Sequence, residues 1–312
     1  MTEADLIRLF VSPFLPDEVL KGVGDDCAVV KVGQESLLIT TDTMLEGIHF
    51  DLGYFDPYHL GRKLAAVNLS DIAAMGGRPL FATLNLEWPP SRGLKEARDL
   101  SSGLLSRLSE AEVALVGGDT VKAPRIGLTL TIIGRPEGQG PIYRQGARPG
   151  DIIYVSGPLG ASGAALELLR KGIRPPEPLL RAHLDPQPEL NLGQQLARDG
   201  LATAMIDISD GLGIDLFRLC QASGVGAEIH ASFIPYPEEL DLLPLENPPL
   251  FYILAGGEDY RLLFTAKEER GAEVQGLGAY PIGRIVSGDH PVLIDEKGRR
   301  RNISFAGYDH FR

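Results

Sequence analysis

Apolar and polar positions along the chain switch repeatedly between a period of two and a period near 3.6. "ESLLITTDTM" runs apolar and ends in hydroxyls and a carboxylate, which predicts a strand stopping in polar residues. "PYHLGRKLAAVNLSDIAAMGG" sets Leu60, Leu64, Val67 and Ile72 near one helical face and predicts a helix ended by Gly76 and Gly77. "PLFATLNLEW" alternates as a strand and is closed by Pro89-Pro90, and "GLKEARDLSSGLLSRLSEAE" is a second helix. "VALVGGDT" predicts a short buried strand running into a glycine turn, and "RIGLTLTIIG" alternates again. "RPEGQGPIYRQGARPGD" then loses periodicity in favour of Gly and Pro. Beyond it "DIIYVSG" and "GASGAALELLRKG" give strand then helix, as do "TAMIDIS" and "DGLGIDLFRLCQASG". "RLLFTA", "AYPIGRIV" and "HPVLIDE" make a strand-rich end. This order predicts two α/β (α+β) domains, each a mixed sheet with helices packed on it, over roughly 1–140 and 141–312.

Composition agrees with a globular chain: 312 residues, 44% hydrophobic and 23% charged, enough for a core that needs no disulfide staples. The two cysteines, Cys27 and Cys220, are too few for a disulfide framework and point to a reducing compartment. "MTEADLIRLF" reads as a short amphipathic helix without the basic and apolar regions of a signal peptide, and no apolar run is long enough for a membrane span. The expected location is the cytoplasm, with no membrane partner. The net charge of −12 argues against nucleic acid as a partner, because phosphate backbones need clustered Lys and Arg. The excess serves solubility, or part of it is gathered to hold divalent cations.

Spacing separates these readings. "GVGDDCAVV" sets Asp25 beside Asp26 on a glycine-flanked turn, where two carboxylates either face water or share a cation. Carboxylates recur where strands end or helices begin: Asp42 in "TTDT", Asp71 in "NLSD", Asp119 in "VGGDT", Asp207 and Asp210 in "DISDGL", Glu258 and Asp259 in "GGEDY". Any one alone is an ordinary turn former, and Asp210 is placed to cap the following helix. Together they lie where α/β folds gather ligands. Mg²⁺ takes oxygen ligands from a few carboxylates, phosphates and water. Thr40, Thr41, Thr43, Thr120 and Ser209 add neutral oxygens, and the flanking glycines let backbone approach a ligand. Since carboxylates and phosphates repel, an acidic pocket for a nucleotide implies metal between them.

Common alternatives are excluded. The P-loop pattern is missing, "GPLGASGAA" misses the dinucleotide spacing, and the protein-kinase set is absent. There is no G-x-S-x-G nucleophile motif, and neither cysteine nor His49 has partners spaced for zinc. Cys27 is expected to be a small buried apolar side chain.

The set "GVGDDCAVV", "TTDTMLEGIHF", "KLAAVNLSDIAAMGGRP", "VGGDT", "DISDGL", "GGEDY" and "GYDHF", spread over residues 22–311, resembles the thiamine-monophosphate kinase family. That family shares a superfamily with aminoimidazole ribonucleotide synthetase, selenophosphate synthetase and a hydrogenase-maturation carbamoyl dehydratase. Residues 1–21 lack the cysteine of a selenophosphate synthetase, and "GYDHFR" replaces the reactive terminal cysteine of the hydrogenase-maturation proteins. The resemblance implies Mg²⁺ ligands at Asp26, Thr40, Thr41, Asp42, Asp71, Asp119, Asp207 and Asp210, several ions in all. It implies ATP contacts at Gly118, Asp119, Arg144 and Ser209, and thiamine-phosphate contacts at His49, Glu258 and Tyr308. Asp42, Asp119 and Asp210 are the implied catalytic residues. It further implies a homodimer pairing through the N-terminal domains.

The implied reaction takes ATP and thiamine monophosphate to ADP and thiamine diphosphate. Its acceptor is a phosphate oxygen already ionised near neutral pH, so no general base is needed, and the barrier is repulsion between two anions. Direct in-line transfer follows, without a phosphorylated enzyme. Two rivals remain at this stage: another ATP-dependent synthetase of the superfamily, and a cation- or nucleotide-binding regulator without turnover.

Overall fold

The alternating apolar residues of the first half pair into one sheet, and helices cover one of its faces. This computed structural model describes residues 3–12, 14–304 and 306–307. After a short helix α1 (Glu3–Phe10) come β1 (Val19–Lys21), β2 (Ala28–Val32), β3 (Glu35–Leu45), α2 (Pro57–Ala74), β4 (Gly77–Trp88), α3 (Leu94–Glu110), β5 (Ala114–Lys122) and β6 (Gly127–Pro136). The strands lie in the order β1-β2-β3-β6-β4-β5, antiparallel except for the β4–β5 pair. Leu38, Met44, Leu128, Leu130 and Ile132 point to the helix-covered face, while Thr41, Thr43, Thr129 and Thr131 occupy the other.

The second half follows the irregular stretch after β6. Its elements are β7 (Ile152–Val155), α4 (Ala161–Arg170), α5 (Glu177–Leu184), α6 (Leu190–Arg198), β8 (Ala202–Asp207), α7 (Leu212–Ser223), β9 (Gly226–His230), α8 (Pro249–Ala255), β10 (Leu262–Ala266), α9 (Gly271–Gly276), β11 (Tyr280–Val286), β12 (Pro291–Ile294) and β13 (Arg300–Asn302). The second sheet runs β13-β12-β9-β11-β7-β10-β8, with only β12–β9 parallel. Both sheets are therefore mixed, as the element order implies. α5 and α6 form in a stretch whose pattern gave no expectation. No described helix is long and apolar enough to cross a membrane.

One expectation is corrected. "VALVGGDT" is not a short buried strand before a turn: β5 continues through Gly117, Gly118 and Asp119 to Lys122, and Val116 and Val121 are 64% and 48% exposed. It is an edge strand, paired on one side only, so an apolar run does not bury it. Gly118 has φ +148, and a Cβ there would sit 1.8 Å from the Leu84 carbonyl oxygen on β4. Only glycine fits this pairing.

Helix α2 joins the halves. Asp56 caps it by accepting the His59 N–H at 3.0 Å, and Pro57 fills its first turn. It packs on α3 and β3, β4 and β6 from one half, and on α5, α6 and β8 from the other. Ala73 and Ala74 lie in a core cluster with Tyr154, Leu196 and Phe264 of the second half. α2 and α3 approach so closely that a Cβ on Gly103 would fall 1.9 Å from the Tyr58 carbonyl oxygen. Gly103→Ala is expected to destabilise the fold by about 1–3 kcal/mol through overpacking. A urea melt within about 0.5 kcal/mol of wild type would contradict this packing.

Candidate active site

Three elements from both halves bring Asp26, Asp71 and Asp207 together, each offering a carboxylate oxygen within 4.8 Å of the others. Asp26 stands on the turn before β2, Asp71 on α2, and Asp207 at the end of β8. Each is held by a donor. Arg144 Nη2 donates to Asp26 Oδ1 at 2.7 Å, Ser70 Oγ to Asp207 Oδ2 at 2.6 Å, and Thr40 Oγ1 to Asp71 Oδ2. Asp25 turns the other way: it accepts the Arg144 backbone N–H at 3.0 Å and pairs with Lys21 at 3.2 Å. The two neighbouring aspartates therefore divide, one to the cluster and one to the segment joining the halves.

Asp42 joins the cluster from β3, because Thr40 and Asp42 share the helix-facing side of that strand. Asn68 Oδ1 accepts the Asp42 N–H at 3.1 Å, which ties β3 to α2 at this point. Burial raises the carboxyl pKa values of Asp71 and Asp207 well above the usual range. The negative charges of Asp42, Asp207 and Asp26 add to the effect at Asp71, as does that of Asp26 at Asp207. Burial also raises Asp26 and Asp42, opposed by Arg144 and by a hydrogen bond with Asp71 respectively. Clustered carboxylate oxygens with one arginine as counter-charge fit a hard divalent cation such as Mg²⁺. Cys27, buried beside them, is held as a thiol, first by burial and then by these charges.

Asp42, Asp71 and Asp207 of the cluster form one wall of a cavity of about 530 Å³. Ser209, Asp210, His49 and Glu258 line it too, with Arg170 and the apolar or aromatic Met44, Ile48, Tyr54, Val67 and Tyr260. The His49 Nδ1 accepts the Leu45 N–H at 3.0 Å, so a neutral ring carries its proton on Nε2. Asp210 does not cap α7: the cap position is Gly211, without a side-chain bond. Asp215, fully buried in the first turn, instead accepts the N–H groups of Ser209, Asp210 and Gly211 at 3.2, 3.0 and 3.1 Å. Arg218 bridges Asp215 and Asp210, 2.6 Å from each. On the facing turn, Asp259 accepts the N–H of Gly160 at 2.7 Å. Glu258, at φ +57, meets Lys63 Nζ at 3.1 Å.

Thr41 lines the cavity, with its hydroxyl 3.0 Å from that of Thr131 on the neighbouring strand, whereas Asp119 and Gly118 lie elsewhere in a single chain. Asp119 shares a row with Asn85, Thr129 and Thr43 on the open side of the sheet. It is three strand spacings from β3, roughly 14 Å, with its side chain on the face opposite Asp42, while Gly118 sits in the row of Leu84, Leu130 and Asp42. Tyr308 lies outside the described residues. Arg144 is where a phosphate contact is expected, but its guanidinium rests on Asp26. Sequence reasoning missed Asp215, Lys63, His183, Tyr54, Arg170 and Tyr260. Two of these carried a signal: Asp215 is an acidic residue in the first turn after a glycine, and Lys63 is a charge on the apolar stripe of Leu60, Leu64 and Val67.

Residues 24–135 match the AIR synthase related protein N-terminal domain, and residues 148–296 match the corresponding C-terminal domain. A thiamine-monophosphate kinase of Escherichia coli (strain K12) is 38% identical, over 94% of this chain and 93% of its own. That of Haemophilus influenzae is 36% identical, over 100% and 98%. The solved structure described as AaThiL complexed with AMPPCP and TMP superposes with a TM-score of 0.88 at 34% identity, covering 99% of this chain and 97% of the other.

The raised carboxyl pKa values make a signed prediction. A carboxyl whose folded pKa exceeds its unfolded value stabilises at low pH and loses that contribution as pH rises. Asp71→Asn is therefore expected to raise the melting temperature of metal-free protein at pH 8, with the gain fading as pH falls toward about 4. Mg²⁺ is expected to stabilise wild type strongly and the variant little. A wild-type melting curve unmoved by Mg²⁺ after chelation would overturn the cation reading.

Proposed function

This chain belongs to the thiamine-monophosphate kinases of the AIR synthase related family, and on that premise we propose that it transfers the γ-phosphoryl group of ATP to thiamine monophosphate. The products are ADP and thiamine diphosphate, which makes this the last step of thiamine diphosphate biosynthesis. The observation that carries the reading is one cavity with a carboxylate cluster on one wall and Glu258 among aromatic side chains on another. The relative solved with AMPPCP and TMP holds a nucleotide analogue and a second ligand together.

In the reaction an acceptor phosphate oxygen bonds to the γ-phosphorus while the bond from that phosphorus to the bridging oxygen of ADP breaks. Asp26, Asp42, Asp71, Asp207 and Asp210, with Thr40, are the residues to hold Mg²⁺, and more than one ion suits so many carboxylates. When bound, Mg²⁺ supplies the positive charge that offsets repulsion between the two phosphates. Arg144, paired with Asp26 at the edge of the cluster, is the residue to take a phosphate oxygen. Ser209 and Asp210, fixed by Asp215, hold the nucleotide side. His49 and Glu258 hold the thiamine side, the carboxylate facing its positive or amino-bearing ring. Asp215 and Arg218 keep the Ser209–Gly211 turn rigid, which serves in-line positioning.

A homodimer gives Gly118 and Asp119 a place in this scheme. Both lie on the edge strand β5, the Asp119 side chain on the open face of the N-terminal sheet, with Phe81, Val116 and Val121 exposed nearby. A second copy seated on that face is the route by which Asp119 reaches a site that it cannot reach in its own chain. A cytoplasmic location accords with two free, buried cysteines.

Purified protein with ATP, Mg²⁺ and thiamine monophosphate is expected to give thiamine diphosphate, and no phosphorylated protein after a single turnover. Asp42→Ala is expected to lower kcat/KM by about 10³-fold with an unchanged circular dichroism spectrum. Absence of product at saturating Mg²⁺ would reject the reading in favour of another reaction of the superfamily. Co-refolding equal amounts of Asp42→Ala and Asp119→Ala chains is expected to restore about a quarter of wild-type turnover, since half of random dimers are mixed and each rebuilds one site. No recovery would mean that Asp119 does not act across a dimer.

A further inference from the structure

Lys63 is a fully buried lysine whose role the mechanism above does not require. It sits in the second turn of α2, on the N-terminal half, with no solvent exposure. Its ammonium stands 5.3 Å from the centre of the Phe55 ring and 3.1 Å from one oxygen, Glu258 Oε2. Burial disfavours its charge, and Glu258 offsets that cost.

Glu258 belongs to the other half and to a turn with unusual backbone. Gly257, Glu258 and Tyr260 all have positive φ, at +66, +57 and +49. Such angles cost energy for residues with side chains and persist where surroundings enforce them. The Glu258 N–H donates to Ser209 O at 2.7 Å, the Tyr260 N–H donates to Ile208 O at 2.9 Å, and Asp259 is anchored at the start of α4. The backbone is thus set independently of the Glu258 side chain. The carboxylate is held by Lys63; His183 stands beside it, with Nδ1 3.4 Å from the same Oε2 and hydrogen-bonded with Ser162 Oγ at 3.0 Å. His183 is buried and kept neutral, first by burial and then by the positive charges of Lys63 and Arg170. Its Nε2 is buried without a hydrogen-bond partner, so Nδ1 makes the ring's polar contact while Phe55 packs against it, 5.4 Å between ring centres. One carboxylate oxygen therefore points into the interior, while the side chain stays 27% exposed to the cavity.

We propose that Lys63 is a positioning residue for the acceptor: it grips Glu258 Oε2 from across the junction of the two halves, so that the other oxygen is presented to the cationic or amino-bearing ring of thiamine monophosphate. This rests on the functional reading above and adds a residue to it. Lys63 does not itself touch substrate. Freed from it, Glu258 keeps its place in the chain but loses its orientation, and the acceptor is held less well while the nucleotide is not affected.

A double-mutant cycle on the full-length protein tests this. Lys63→Met is expected to raise the KM for thiamine monophosphate by about ten- to a hundredfold, the size of a lost hydrogen bond to a charged group, while the KM for ATP changes by less than about twofold. In the Glu258→Gln background the same replacement is expected to have almost no further effect, because the group it positions has lost its charge. The double variant leaves no ion buried alone, so it folds even if Lys63→Met does not, and its KM against that of Glu258→Gln is then the deciding comparison. Equal losses for both substrates, or multiplying effects of the two replacements, would show a merely structural lysine and overturn the proposal. Wild type inactive on thiamine monophosphate would overturn the functional reading and this proposal with it. Active wild type with an unaltered Lys63→Met variant would overturn this proposal alone.

Discussion

A helix with most of its residues buried cannot leave a buried polar side chain without a partner, and α2 obeys this rule at five positions. Arg62 reaches Glu110 at 2.7 Å and Asp185 at 2.8 Å. Lys63 takes Glu258, Asn68 takes the Asp42 backbone, Ser70 takes Asp207, and Asp71 takes Thr40. Two of these five residues tie the helix to β3, and the other three reach the second half. Breaking one would strand a buried polar group at a cost comparable to a large share of net stability. The helix therefore fixes how the halves sit and, by the same bonds, where the carboxylates stand.

Those carboxylates oppose the fold that holds them. Their mutual repulsion and burial favour the protonated form, and Arg144 answers only part of the negative charge. Sites of this type keep strain that a ligand relieves, and they are where perturbed acidity marks function rather than stability. The core clusters beneath are ordinary Leu, Ile and Val packing, and they supply the rigidity that keeps like charges together.

Period and punctuation made most strands and helices legible, because tightly paired strands alternate and helices end at glycine. What the pattern could not carry was pairing. An apolar run such as "VALV" reads as buried, yet β5 has a neighbour on one side only. Whether Asp119 shares a face with Asp42 depends on register across three strands, which no local pattern contains. The acidic turns stood out as candidates because carboxylates recurred beside glycine. That Asp26, Asp71 and Asp207 meet could be read only through resemblance. Asp215 and Lys63 were visible as residues but not as roles, since each acts through a neighbour distant in sequence or structure.

The glycine-rich starts of α4 and α7 expose backbone N–H groups of the kind that many nucleotide-binding folds offer directly to phosphate. Here the chain answers them itself, with Asp259 at one and Asp215 at the other. An arriving anion would have to expel a carboxylate that is part of the polypeptide. These two helix starts are thus closed from within, and neither offers an anion the bare backbone cradle that their glycines would otherwise make.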